Sequence, residues 1–139
     1  MSHFQTSASS LGFKVSRSAD LIPKIEKGFS FATLANFVAA SGMSVPYTAS
    51  VIGIPERTLA RRKKEKRLSP EESERLLRIS KLFDDSLRLF DGDREAAVNW
   101  LRSPKKALKN QSPLQFARTE IGAREVENLI GRIEHGVFS

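Results

Sequence analysis

The stretch TASVIGIPERTLARRKKEKRLSPEE, residues 48–72, decides how this chain is read. Ala49 stands four positions before Gly53, Ile52 and Ile54 flank that glycine, and Leu59 follows it by six. Two short helices that meet at a sharp corner need these parts: a glycine in the turn, a small residue where the backbones cross, and an apolar anchor on the second helix. Directly after the corner come Arg57, Arg61, Arg62, Lys63, Lys64, Lys66 and Arg67, with Glu65 the one acid among them. The sequence Ser69-Pro70-Glu71-Glu72 then reads as N-cap, N1, N2 and N3. That is a capping box, in which the serine hydroxyl and the N3 glutamate satisfy orphan backbone donors, and it opens a long helix.

Upstream of this stretch, Phe31, Leu34, Ala35 and Val38 fall at i, i+3, i+4 and i+7 and predict an amphipathic helix over 30–41, stopped at Ser41-Gly42. Residues 44–52 suit a short second helix, and Pro55 suits the first turn of a third. Downstream, a helix over 70–90 carries a stripe of Leu76, Ile79, Phe83, Leu87 and Phe90. Asp91-Gly92-Asp93 is a turn, with Asp93 as N-cap of a helix ending near Trp100-Leu101, and Trp100 is expected in the core. Ser103-Pro104 and Ser112-Pro113 each read as a cap and a proline opening a short helix. The last helix runs from Thr119 to Glu134 with Val126, Leu129, Ile130 and Ile133 on its apolar face and Gly136 at its end. No alternating strand pattern and no internal repeat is present. The fold class is therefore all-α, with four segments. Residues 1–29 are a polar, partly flexible leader, and 30–68 a helix-turn-helix region. Residues 69–90 are a connecting helix, and 91–139 a small helical C-terminal domain.

The net charge of +7 is concentrated: residues 56–68 carry +5, whereas 69–139 carry twelve cations and twelve acids. A localised basic patch beside a helix-turn-helix corner implies a polyanion, and double-stranded DNA in particular. The N-terminal turns of the second helix would face the major groove. That makes Glu56, Arg57, Thr58, Arg61 and Arg62 the candidates for base edges and nearby phosphates, with Lys63, Lys64, Lys66 and Arg67 further along the backbone. Arginine suits bidentate contact with guanine, and threonine suits a thymine methyl or a phosphate. Arg62 departs from the usual pattern, which places an apolar residue there, so this helix is expected to be short, or its second turn less firmly held. No aromatic residue interleaves with the cations to stack on single-stranded bases, which argues against RNA.

The absence of cysteine rules out disulfides and thiolate metal sites. No apolar run approaches bilayer length, and the Ser-rich first twenty residues contain no continuous apolar segment of the secretory kind. His135 is the one histidine outside the leader and has no clustered ligands, so no metal is expected. Glu71, Glu72 and Glu74 sit in a helix's first turn, where they favour its dipole. No P-loop, Gly-rich fingerprint, Ser/His/Asp set or HExxH is found, so nothing argues for an enzyme or a cofactor.

The C-terminal half carries a more specific pattern: W-L-R-S-P at 100–104, A-L at 107–108, S-P-L at 112–114 and GAREVENLIGRIEHGVF from Gly122 to Phe138. With R-T-L-A-R-R at 57–62 and L-S-P-E-E-S-E-R-L-L at 68–77, it resembles the Xre/MbcA/ParS-type antitoxins, partners of RES-domain toxins, over about residues 30–139. The resemblance implies that 91–139 is a toxin-binding domain that blocks an NAD⁺-consuming RES toxin, and that the N-terminal domain represses the operon's own promoter. It also implies a homodimer, larger complexes with toxin, and a bacterial cytoplasmic location, with no membrane partner. Val137 and Phe138, beyond the helix stop, either pack on their own domain or enter a partner's cleft, and the resemblance favours a toxin contact made by Arg132, Glu134, His135, Gly136, Val137, Phe138 and Ser139. The rival readings are a stand-alone dimeric helix-turn-helix regulator, whose C-terminal domain only dimerises, and a nucleoid-type protein that binds DNA without sequence preference.

Overall fold

A computed structural model describes residues 9–13 and 17–136. Its α-helices are α1 (Ser18–Lys27), α2 (Phe31–Ser41), α3 (Val45–Val51), α4 (Glu56–Glu65), α5 (Pro70–Leu89), α6 (Arg94–Arg102), α7 (Pro113–Phe116) and α8 (Glu120–Glu134). Short 3-10 turns lie at Ser9–Leu11 and Lys106–Leu108. Among the described residues there is no strand; two isolated bridges pair Ser30 with Arg67 and Lys105 with Gln111. The chain divides into two compact units, Met1–Lys81 and Leu82–Ser139, the boundary falling within α5.

In the first unit the local signals act as expected. Ser44 caps α3 by accepting from the Tyr47 amide, and α2 ends at Gly42 in the left-handed region. The α3–α4 corner turns on Gly53 at φ +77°, a conformation that costs glycine nothing. There the Ile54 amide returns to the Ala49 carbonyl at 2.8 Å. Pro55 stands at the N-cap of α4 rather than inside its first turn. Leu34, Phe37, Ala49, Ile52, Ile54, Leu68, Leu76 and Ile79 are buried.

The N-terminal stretch differs from its sequence reading. Of the leader expected over 1–29, residues 1–8 and 14–16 lie outside the described residues, but the remainder is built into the unit. Helix α1 buries Leu21, Leu11 is fully buried, and the Asn36 amide holds the Leu11 carbonyl at 3.0 Å. The Phe13 and Phe29 rings meet edge to face at 5.2 Å. Leu21, Ile22 and Ile25 fall at helical spacing, but Pro23 among them reads as a helix breaker and conceals α1.

Residues 28–31 and 66–68 are fastened to each other. The Leu68 amide donates to the Phe29 carbonyl (2.8 Å) and the Phe31 amide to the Lys66 carbonyl (3.0 Å). Ser73 on α5 completes the clasp, accepting from the Phe29 amide at 2.7 Å and donating to the Ser69 carbonyl at 2.7 Å. A Cβ on Gly28 would overlap the Leu68 carbonyl oxygen, so the close approach requires glycine.

In the second unit, Asp93 caps α6, Ser112 and Gln115 form a capping box on α7, and Thr119 caps α8. Ser103-Pro104 does not open a helix. Ser103 closes α6 and its hydroxyl bonds back to the Asn99 carbonyl, the competing use of a serine side chain; the next turn begins after Lys105. Trp100, expected in the core, is half-buried with Lys105 Nζ 4.9 Å above its ring, while its neighbour Leu101 is fully buried. Burial lowers the Lys105 pKa. The inner face of α8 is Gly122, Ala123, Val126 and Ile130, with Leu129 and Ile133 half-buried beside it.

Candidate functional site

Helix α4 presents two opposite faces. Thr58, Leu59 and Arg62 are half-buried, whereas Arg57, Ala60, Arg61 and Lys64, at i, i+3, i+4 and i+7, are exposed. Ten residues give a rod about 15 Å long, a length compatible with the major groove. The exposed stripe carries three cations around one methyl group. Ala60 was not among the sequence candidates, because its spacing matters only once the inner face is known. Glu56 is exposed in the first turn, and Lys63 is exposed on the flank of the stripe.

Arg62 belongs to the inner face. Its Nε and one terminal nitrogen donate to the two oxygens of Glu72 at 2.8 and 3.1 Å, and the side chain is 19% exposed against 8% for Glu72. Glu72 is also the N3 residue of the α5 capping box: the Ser69 amide donates to its Oε1 at 2.9 Å, and the Glu72 amide donates to Ser69 Oγ at 3.1 Å. Burial alone would raise the Glu72 pKa, but hydrogen bonds from Arg62 and Ser69 outweigh it and hold the carboxyl below its ordinary value. Bonding to Glu72 raises the Arg62 pKa in turn. The second turn of α4 is therefore not loosely held: a bidentate ion pair stands where an apolar anchor is usual. Arg75 adds a bond to the Ile52 carbonyl at 3.1 Å, beneath the glycine corner.

The end of the basic run is likewise divided. Lys66 is exposed and takes the left-handed conformation (φ +64°) that caps α4. Arg67 turns back to donate to the Gly28 carbonyl at 2.6 Å. Arg57, Arg61, Lys63 and Lys64 thus form the exposed cationic set on α4 itself.

In the second unit, Arg132 is half-buried, and Glu134 is bonded to Arg88 Nε at 2.9 Å. His135 Nδ1 lies 2.7 Å from the Gly131 carbonyl, and Gly136 is exposed at φ +71°. Val137, Phe138 and Ser139 lie outside the described residues. Sequence periodicity did not single out Ile121, which is 76% exposed on the first turn of α8. Among the described residues no group of three His, Cys, Asp or Glu side chains could hold a metal ion, and no helix is long and apolar enough to cross a membrane.

Residues 20–81 match the family model of the antitoxin Xre-like helix-turn-helix domain, and residues 87–136 match that of the antitoxin Xre/MbcA/ParS C-terminal toxin-binding domain. The antitoxin Xre of Yersinia enterocolitica serotype O:8 / biotype 1B is 39% identical over 130 residues, covering 93% of this chain and 88% of the relative. The antitoxin Xre of Photorhabdus laumondii is 39% identical over 90 residues, covering 64% of this chain and 61% of the relative. That of Pseudomonas putida is 30% identical over 114 residues, covering 81% and 70%. With both domains matched in order and one relative aligned along almost its whole length, this chain belongs to the Xre antitoxin family.

Proposed function

We propose that this antitoxin neutralises an NAD⁺-consuming RES toxin and, as a homodimer in the bacterial cytoplasm, represses the promoter of its own operon. The DNA half of the reading rests on one observation: Arg57, Ala60, Arg61 and Lys64 form an exposed stripe, while Arg62 is withdrawn to Glu72 and braces the helix from behind. Arg57 and Arg61 then reach base edges, Ala60 lies against a thymine methyl, and Lys63 and Lys64 neutralise phosphates. Glu56 and Thr58 border the same contact. A second copy of the domain would read a second half-site one helical turn away. The toxin half is supported by the match of residues 87–136 to a toxin-binding domain. Its RES identity is supported by the motifs shared with antitoxins of that class. Arg132, Glu134, His135 and the tail 136–139 supply the polar rim and apolar end of the contact.

The test is co-expression with the toxin gene adjacent to this one, reading growth and cellular NAD⁺, together with footprinting of the upstream promoter. Restored growth with preserved NAD⁺ and a protected operator are expected. Growth arrest that persists on co-expression overturns the toxin assignment. Promoter protection without any toxin effect favours a stand-alone regulator, and protection of random DNA to the same extent favours a nucleoid-type protein.

A further inference from the structure

We infer that the outward face of α8, running from Ile121 through Asn128, Gly131 and Arg132 to His135, is the surface on which the toxin docks; this rests on the toxin-binding reading above. The face lies opposite the buried residues Val126 and Ile130, and two of its features have no role inside the fold. Ile121 leaves a large apolar side chain 76% exposed. It lies within the residues matched to the toxin-binding domain, whereas the other exposed large hydrophobic among the described residues, Ile22, lies on α1. Gly131 weakens the helix by its conformational freedom, yet an added Cβ would meet nothing within 4 Å. Its neighbour on the same helix, Gly122, has an internal reason to be glycine, because a Cβ there would overlap the Phe116 carbonyl oxygen. Gly131 has none inside the fold, and a bare patch of helix allows close approach by another backbone.

The order of residues suits an interface. An apolar anchor at one end and a bare glycine near the other are joined by Asn128 and Arg132, polar groups able to bond across a contact. The face is continuous with the proposed tail contact, since His135 is followed directly by Gly136. One surface would therefore run from the first turn of α8 to Gly136.

The experiment measures binding of the full chain to a catalytically inactive form of the adjacent gene's RES toxin, for wild type, Ile121→Lys and Gly131→Gln. Both substitutions should weaken toxin binding at least tenfold and leave promoter binding unchanged. Gly131→Gln should also raise the melting temperature of the free chain, by about 3 °C, because it replaces glycine with a better helix former. A more stable variant that binds toxin worse is the result a merely structural glycine would not give. Wild-type toxin binding by both variants overturns the inference alone. So does an Ile121→Lys chain that turns from dimer to monomer with toxin binding intact, since the face would then belong to a second copy. A wild-type chain that fails to bind this toxin overturns the RES assignment and the inference together.

Discussion

Arg62 and Glu72 are joined by two hydrogen bonds, at 2.8 and 3.1 Å, which tie the second turn of α4 to the first turn of α5. The same carboxylate caps α5 through the Ser69 amide. One glutamate therefore both starts the long helix and holds the helix proposed to enter DNA. Arg62→Ala leaves the Glu72 charge largely buried and half-satisfied, and should lower stability by roughly 2–3 kcal/mol. Urea unfolding measures it. Promoter affinity should fall as well, although Arg62 touches no base in the proposed complex, and Arg62→Lys should restore it only in part because lysine cannot bond bidentately.

The same pair makes folding sensitive to acid. The Glu72 pKa lies below its ordinary value in the folded chain. Its ionised form thus favours folding at pH values above the unperturbed glutamate value of about 4.3, and that contribution is lost as pH falls below it through the depressed folded value. Glu72→Gln should be less stable than wild type near neutrality, with the gap narrowing between about pH 5 and pH 3. Parallel denaturation curves across that window read the difference.

On the outer face of α4 the arginines and lysines should separate by the kind of loss. Arg57→Ala and Arg61→Ala should each cost roughly 1–3 kcal/mol on the promoter and relax its sequence preference. Lys64→Ala should weaken all DNA about equally and reduce the salt slope by about 0.9. Fluorescence anisotropy across a salt series distinguishes the two outcomes.

Two buried serines should respond oppositely to alanine. Ser73 is bonded at both ends, so Ser73→Ala orphans the Phe29 amide and should cost roughly 1–3 kcal/mol. Ser86 is fully buried on α5, and its hydroxyl lacks a hydrogen-bond partner among the described residues. Ser86→Ala should therefore stabilise the chain, by about 1 kcal/mol. Thermal melts of the two variants give the comparison.

What could be read from the sequence was local. The caps at Ser69, Asp93 and Ser112 use side chains that bond within three residues, so spacing alone locates helix starts near them, and Ser44 and Thr119, at which helices were expected to begin, bond in the same way. The glycine corner at Gly53 is equally local. The uses of Arg62 and Arg67 were hidden because their partners, Glu72 and the Gly28 carbonyl, come into reach only through the fold. A basic run seen as one string thus separates into a braced inner side and an exposed outer side. Ser103-Pro104 looked like Ser112-Pro113 but bonds backward instead of forward, a choice that two residues do not encode. Helix α1 was obscured because Pro23 stands among its apolar residues Leu21, Ile22 and Ile25.

The clasp between residues 28–31 and 66–68 governs how the first unit opens. The amides of Phe29, Phe31 and Leu68 are held by acceptors far away in sequence, Phe29 by a hydroxyl 44 residues on. Solvent deuterium reaches them only when residues 28–31 part from 66–68 and from Ser73, so all three should exchange with a single opening free energy. The terminal turns of α4, held chiefly by neighbours in sequence, would fray and exchange earlier.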